Sequence, residues 1–125
     1  MPKNWEDTLK KRGRSYEAKY KFEEEIKFKT AARRNRLLGL WAAERLGMGK
    51  EEGEAFAKDV VIADLQEPGV EDIIRKIKAE FDRREVKIRS KDIRSQLKHL
   101  DKVARDQVTQ EHPKPLGPDH EGVGD

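Results

Sequence analysis

A long stretch without proline constrains this chain more than any other feature. Between Ser15 and Leu46 the chain has no proline, and Gly39 is the only glycine. Lysine, glutamate, alanine, leucine and arginine dominate it, and these residues have high helix propensity. Gly47 then supplies a typical end signal. The sequence therefore predicts one long helix over residues 16–46, around which the rest of a small protein must pack.

Composition limits both the size and the class of the fold. The chain has 125 residues, of which 34% are hydrophobic and 42% charged, so we expect one domain with a modest core. The 28 lysines and arginines nearly balance the 25 aspartates and glutamates, unlike the one-sided surplus of a nucleic-acid-binding surface. Cysteine is absent, which excludes disulfides and cysteine-bound zinc. Because neither a secretory signal nor a membrane-spanning run is present, we expect a cytoplasmic protein without membrane insertion.

Three shorter helices are predicted after the long one, over residues 50–65, 70–84 and 91–107. Their apolar residues recur every three or four positions, which is typical of helices with one buried face. These residues are Phe56, Val60 and Ala63, then Val70, Ile73, Ile74, Ile77 and Phe81, and finally Ile93, Leu97, Leu100 and Ala104. The links between the helices are short, which favours antiparallel neighbours. We therefore predict an all-α fold, a small four-helix bundle with a long first helix.

The two ends of the chain differ from the helical region and from each other. Residues 108–125 concentrate proline and glycine without periodicity, so we expect a disordered C-terminal tail. Residues 1–15 are expected to form a mobile N-terminal arm. Residues 1–21 hold seven basic and three acidic residues, a net charge of +4, whereas residues 109–125 hold one basic and four acidic residues, a net charge of −3. A cationic segment with apolar anchors favours folding into a partner's groove.

Basic and apolar residues adjoin in the second half of the long helix. Arg33, Arg34 and Arg36 can bind phosphates, but a charged run on a helix is more often a solvated face. The residues that follow cover much of the helix circumference, which predicts neighbours on several sides. We interpret them as the structural hub: Leu37, Leu38, Gly39, Leu40 and Trp41. Because Gly39 costs about 1 kcal/mol relative to alanine, we expect another helix, the third, to approach closely there.

The sequence contains no recognisable catalytic or metal-binding motif. The histidines, His99, His112 and His120, lack the spacing of a zinc site. No serine or threonine stands in a nucleophile motif, and GMGKEEG (47–53) lacks the pattern of a phosphate-binding loop. We therefore predict that the protein is not an enzyme, and we expect no cofactor and no metal.

Two segments carry a family resemblance. YEAKYKFEEEIKFKTAARRNRLLGLWAAERLG (16–47) and EAFAKDVVIADLQEPG (54–69) resemble the zeta subunit family, small alphaproteobacterial inhibitors of the F-type ATP synthase. The likeness continues through VEDIIRKIKAEFD and covers roughly Tyr16 to Arg105. The resemblance implies a four-helix bundle whose N-terminal segment enters the catalytic α/β interface of the ATPase head and blocks ATP hydrolysis.

The resemblance also implies partners and residue roles. The partners would be the α and β subunits of the head, with the central stalk as a further contact, and the bound protein would lie peripheral to the inner membrane. Trp5, Glu6 and Asp7 look like the start of the family's arm, and its later anchors look like Tyr16, Lys19, Tyr20 and Phe22. We assign apolar insertion to Trp5, Leu9, Tyr16, Tyr20 and Phe22, and pairing with acidic or phosphate groups to Lys10, Lys11, Arg12 and Arg14.

The chain departs from the family pattern in the arm and in its longer tail. TLKKRGRS (8–15) lengthens the arm, and we expect Gly13 to interrupt the helix and weaken inhibition. Two alternatives stay open. A nucleic-acid- or ribosome-associated helical protein would use residues 10–14 and 33–36, although no specific nucleic acid is expected. A zeta-like bundle that has lost inhibition would bind the ATPase without changing hydrolysis.

Overall fold

The computed structural model describes the backbone of residues 2–112 and the side chains of residues 18–112. It contains the α-helices α1 (Pro2–Arg45), α2 (Lys50–Gln66), α3 (Val70–Arg83) and α4 (Ser90–Glu111). No strand occurs in the described backbone. The all-α class, the order of the four helices and the long first helix are confirmed.

The second half of α1 is the framework of the bundle. The whole helix has 44 residues and is therefore about 66 Å long. Both α2 and α4 pack against α1, and α3 packs mainly against α2 and α4. Early residues of α2 lie beside late residues of α1, and the last turn of α4 lies beside the middle of α1, so both neighbours run antiparallel to it.

The core forms where the apolar stripes of the four helices meet. Its members are Leu38, Ala42, Ala43, Phe56, Val60, Ile73, Ile74, Ile77, Phe81, Ile93 and Leu97. Within the segment interpreted as the hub, Leu38 and Gly39 are buried, whereas Leu37, Leu40 and Trp41 are half-buried. The ring centroids of Trp41 and Phe81 are 6.3 Å apart, which joins α1 to α3. The stripes read from the sequence extend further than the core, because Val70 is 38% exposed.

Gly39 marks the closest approach of two helices. A Cβ atom built on Gly39 would lie 2.6 Å from the Cα of Ala57. This separation is too short for two carbon atoms that are not bonded, so a side chain at position 39 would clash with the backbone of α2. The neighbour is thus α2, and the expectation that the third helix approaches here was wrong. The link between α1 and α2 is short enough to fold α2 straight back onto α1, which puts Ala57 in this position.

The helix α1 begins earlier than expected. It starts at Pro2 rather than at residue 16, and Gly13 does not interrupt it. Proline is suited to the first turn of a helix because its missing N–H has no intrahelical acceptor there. The surrounding lysines, arginines and glutamates have high helix propensity, and they offset the cost of about 1 kcal/mol for one glycine.

The helix α4 also runs beyond its predicted end at residue 107. It continues to Glu111 because Val108, which is 1% exposed, extends the buried stripe of Ala104 by one turn. Residues 108–111, which were predicted to belong to the tail, are therefore part of α4. Residues 113–125 lie outside the described residues.

Candidate interaction surface

The predicted partner-binding residues whose side chains are described lie on an exposed stretch of α1. Every side chain from Ala18 to Glu25 is exposed except Phe22, which is half-buried. Tyr20, a predicted apolar anchor, is 58% exposed, and Lys19 beside it is also exposed. The other predicted arm residues, from Trp5 to Tyr16, lie in the helical backbone of α1 but outside the described side chains. A helix of this kind presents its side chains to a partner without prior unfolding.

A cleft separates this stretch from the end of α4. Phe22 and Ile26 form its α1 side, and Thr109 and His112 form its α4 side, around a cavity of about 400 Å³. Phe22 was predicted to insert into a partner together with Tyr20. In this structure its ring faces the protein's own fourth helix instead, and the two aromatic side chains lie on different sides of α1.

The last turn of α4 is bound to α1 by polar contacts next to the cleft. Lys29 Nζ donates to Nε2 of His112 at 3.2 Å and lies 2.8 Å from Oε1 of Glu25. The hydrogen bond from Lys29 and its positive charge hold the pKa of the Glu25 carboxyl below its usual range. These contacts hold the C-terminal end of α4 beside Glu25 and Lys29 of α1.

The basic cluster of α1 is engaged with the neighbouring helices. Arg33 donates to Glu111 at 2.7 Å and Arg36 donates to Glu54 at 2.7 Å. The pairing with Arg33 lowers the pKa of the Glu111 carboxyl. The cluster is therefore not simply a solvated face, because its guanidinium groups connect α1 to α4 and to α2. This engagement also leaves little of it free for phosphate contacts.

A buried polar residue lies on α1 shortly before the hub and was not predicted from the sequence. Asn35 is 1% exposed, and its Nδ2 donates to Oδ2 of Asp64 at 3.0 Å. Its Oδ1 accepts a hydrogen bond from Nε of Arg34. The same guanidinium group donates through Nη1 to Asp101 on α4 at 3.3 Å. Asp64 in turn accepts from the backbone N–H of Gly69. One asparagine thereby joins α1, α2, α4 and the α2–α3 link.

The signal for this residue was present but easily overlooked. Asn35 precedes Leu38 by three positions and Ala42 by seven, which places it on the buried face of α1. A buried polar group is stable only with its hydrogen bonds made, so it needs fixed partners. Those partners come from distant helices, and no local spacing in the sequence indicates them.

Two features are absent from the described part of the chain, a metal-ligand cluster and a membrane-spanning helix. No group of three or more histidines, aspartates or glutamates is placed to hold a metal ion among the described residues. Within the same residues, none of the helices combines the length and the apolar character needed to cross a bilayer. What the geometry provides is a rigid bundle with an exposed helical extension.

Comparisons with known proteins identify the family. The model of the family described as ATPase inhibitor subunit zeta matches residues 6–107. A protein of known solution NMR structure is 39% identical to this chain, covers 70% of this chain and 99% of its own, and has a TM-score of 0.60. No curated protein matches the chain at a significant level. The family match spans most of the chain and reaches into the arm, and the chain therefore belongs to the ATPase inhibitor subunit zeta family.

Proposed function

We propose that this chain inhibits ATP hydrolysis by the F-type ATP synthase, and that its N-terminal arm inserts at the catalytic α/β interface of the ATPase head. The name of the family supports the activity and the partner. One observation supports the assignment of the N-terminal part of α1 as the inhibitory segment. The side chain of Tyr20 is exposed, and Tyr20 lies on the part of α1 that extends past the end of α4. The buried residues of α1, by contrast, begin at Ile26.

The continuity of α1 supports insertion as one helix. Successive residues turn by about 100°, so positions 5, 9, 16 and 20 fall within about 60° of one another around the helix axis. These are the positions of Trp5, Leu9, Tyr16 and Tyr20. A helix that is already formed loses less conformational entropy on binding than a segment that must first order. Gly13 therefore does not by itself prevent docking of a continuous arm.

The remaining arm residues are assigned to polar contacts with the head. Lys10, Lys11, Arg12 and Arg14 would pair with acidic or phosphate groups, and Glu6, Asp7 and Lys19 would contact polar groups at the edge of the interface. Phe22 contributes less than Tyr20, because its ring is already half-buried against α4.

Inhibition of this kind requires no catalysis by the inhibitor. A rotary ATPase must pass each catalytic interface through several conformations, and a ligand that binds one conformation selectively shifts the population towards it. A helix wedged at the interface would stop the cycle at that conformation. The protein would act stoichiometrically from the cytoplasm, bound peripherally at the inner membrane through the synthase.

The test is a titration of the purified ATPase head at physiological salt. The full chain is expected to reduce ATP hydrolysis in a dose-dependent way, whereas residues 20–125 should not, although their thermal unfolding should match that of the full chain. Undiminished inhibition by the truncated protein would contradict the assignment of the working end. No inhibition by the folded full chain would instead favour a zeta-like bundle that binds without inhibiting.

A nucleic-acid-binding role has less support. It would use residues 10–14 together with the cluster at Arg33, Arg34 and Arg36, and the three guanidinium groups of that cluster have protein partners. The decisive control is a gel-shift assay at physiological salt, where retained binding would reopen this alternative.

A further inference from the structure

We propose that an exposed basic face of α4 binds an acidic helical segment of a partner protein. This basic stripe consists of Lys91, Arg94, Lys98, Lys102 and Arg105. It belongs to the bundle and not to the N-terminal arm, so the contact is independent of the proposed function. The partner is defined by its chemistry, as a helix that carries carboxylates at intervals of three and four residues together with an apolar side chain.

The five cations lie on one side of α4. They recur at steps of three and four residues, and with a turn of about 100° per residue they fall within about 80° of one another around the helix axis. From Lys91 to Arg105 the helix rises about 21 Å, at about 1.5 Å per residue. All five residues are exposed. The helix α4 therefore presents a row of positive charge about four turns long.

Little of this charge is compensated within the described part of the protein. Nη2 of Arg94 lies 2.8 Å from both carboxylate oxygens of Glu71. The carboxylate of Asp101, which is close in sequence to the stripe, is bound by Arg34 of α1. Among the described side chains, the other four cations of the stripe have no ion-pair partner. Cations one turn apart on a helix repel each other, so an acidic ligand would remove a repulsion as well as form new attractions.

A groove runs beside the middle of the basic stripe. It has a volume of about 800 Å³ and lies between α4 and Val70, the first residue of α3. Val70 is 38% exposed, and Lys98 and Lys102 line the same groove. An exposed apolar side chain thus adjoins cations without ion-pair partners among the described residues. This combination suits a peptide, because a peptide can carry carboxylates and an apolar side chain on one face.

The spacing of the stripe favours a helical ligand. On a partner helix, acidic residues three or four positions apart lie on one face at intervals of about 5–6 Å. The cations of α4 have the same spacing because they recur by the same steps. Two helices that lie side by side can therefore pair several charges in one register, which gives the contact its specificity.

An anionic membrane fits this face less well. Amphipathic helices that bind membranes insert an apolar face among the lipids. The apolar face of α4 is already buried in the bundle, since Ile93, Leu97, Ala104 and Val108 are all core residues.

Nucleic acid also fits less well. The phosphates of a nucleic acid are evenly spaced, so they cannot avoid the carboxylates of Glu71 and Asp101 beside the stripe. A peptide can place an uncharged residue opposite these two groups. It can also cover Val70 with an apolar side chain, which a phosphate backbone does not offer.

The contact can be tested by NMR with the isotope-labelled full chain and a synthetic helical peptide. The peptide has glutamate at every third or fourth position and one central leucine, and its reference has glutamine in place of every glutamate. We expect saturable shifts of the amide signals of Val70 and of residues 91–105, with a dissociation constant that rises with salt. No difference between the two peptides, or shifts centred on another helix, would overturn the proposal. Tighter binding of duplex DNA or of anionic phospholipid vesicles would overturn it equally.

Charge-reversal variants locate the contact. Lys98→Glu with Lys102→Glu should raise the dissociation constant of the peptide at least about tenfold, because two attractions become repulsions. The matched control, Lys50→Glu with Lys58→Glu, makes the same change in net charge at exposed positions of α2. Equal effects of the two pairs would show that the peptide responds to net charge alone and would overturn the proposal.

Two equally exposed apolar residues test the groove. Val70 and Ile62 are both 38% exposed. Val70→Ala should weaken binding of the peptide about threefold because it removes an apolar contact, whereas Ile62→Ala should leave binding unchanged. Equal losses for the two variants, or no loss, would overturn the position of the ligand in the groove. Circular dichroism of every variant should match that of the unmodified chain, which excludes unfolding as the cause of weaker binding.

Discussion

The two halves of α1 belong to one helix but have different surroundings. Between Ile26 and Arg45 the helix supplies buried residues to the bundle, and at Gly39 it nearly touches the backbone of α2. Between Ala18 and Glu25 all side chains but one are exposed, and α4 ends alongside. The packed half is helical because tertiary contacts fix it, whereas the exposed half depends on local propensity. Stability and partner binding are thus assigned to different parts of one element.

The largest expected loss of stability comes from Leu38→Ala. Leu38 is fully buried in the centre of the bundle, and its truncation removes apolar contacts and leaves a cavity. We expect the free energy of unfolding to fall by about 3 kcal/mol, measured by chemical denaturation. The matched change in the exposed half, Tyr20→Ala, should cost less than about 0.5 kcal/mol. Similar losses for the two variants would remove the distinction between the halves.

Gly39→Val tests the close approach of α1 and α2. The new side chain would overlap the backbone of Ala57, so the two helices must separate, and we expect a loss of about 2 kcal/mol in the same denaturation experiment. Gly49→Ala is the control, because a Cβ at Gly49 meets open space and its φ of −67° is allowed for alanine. A stable Gly39→Val variant would show that the packing distance is not set by this glycine.

Asn35→Ala tests the buried polar network. The change leaves Asp64 without its donor from α1 and Arg34 without one acceptor, so we expect a loss of about 1 kcal/mol. Gln110→Ala, an exposed polar residue on α4, serves as the reference. If both variants unfold at the same denaturant concentration, the network does not contribute to the stability of the bundle.

The smallest effect is expected at acidic pH. Pairing with Arg33 lowers the pKa of Glu111 in the folded protein, so the ionised carboxylate stabilises the fold above its unfolded pKa. That contribution is lost as the pH falls below the unfolded pKa of glutamate and through the lower pKa of the folded carboxyl. Thermal unfolding of Glu111→Gln should therefore lose slightly less stability between pH 7 and pH 3 than the unmodified chain. A steeper acid dependence in the variant would contradict the sign.

The sequence predicted the regular parts of the fold well, for physical reasons. The stripe of Ile73, Ile77 and Phe81 repeats with the period of a helix, and its burial follows from that repeat alone. The partner of Gly39 could not be predicted, because it depends on which helix folds back onto α1. The start of α1 was placed too late, since the cost of Gly13 was given more weight than the propensity of its neighbours.

The candidate surface was predictable only in outline. The aromatic and basic residues of the arm could be read from the composition, and Tyr20, a predicted anchor, has an exposed side chain. The half-burial of Phe22 was not visible, because it depends on α4 extending one turn to Val108. Contacts between distant segments, such as Lys29 with His112, leave no periodic trace in the sequence.

Two equally exposed aromatic residues allow the most direct test of the separation along α1. Tyr20 is 58% exposed and Phe28 is 59% exposed on the same helix, but only Tyr20 belongs to the proposed inserting face. ATP hydrolysis by the purified head should be titrated with Tyr20→Ala and Phe28→Ala at physiological salt. We predict at least about a tenfold rise in the half-inhibitory concentration for Tyr20→Ala and little change for Phe28→Ala. Equal losses, or a larger loss for Phe28→Ala, would contradict the assignment of inhibition to the N-terminal half of α1.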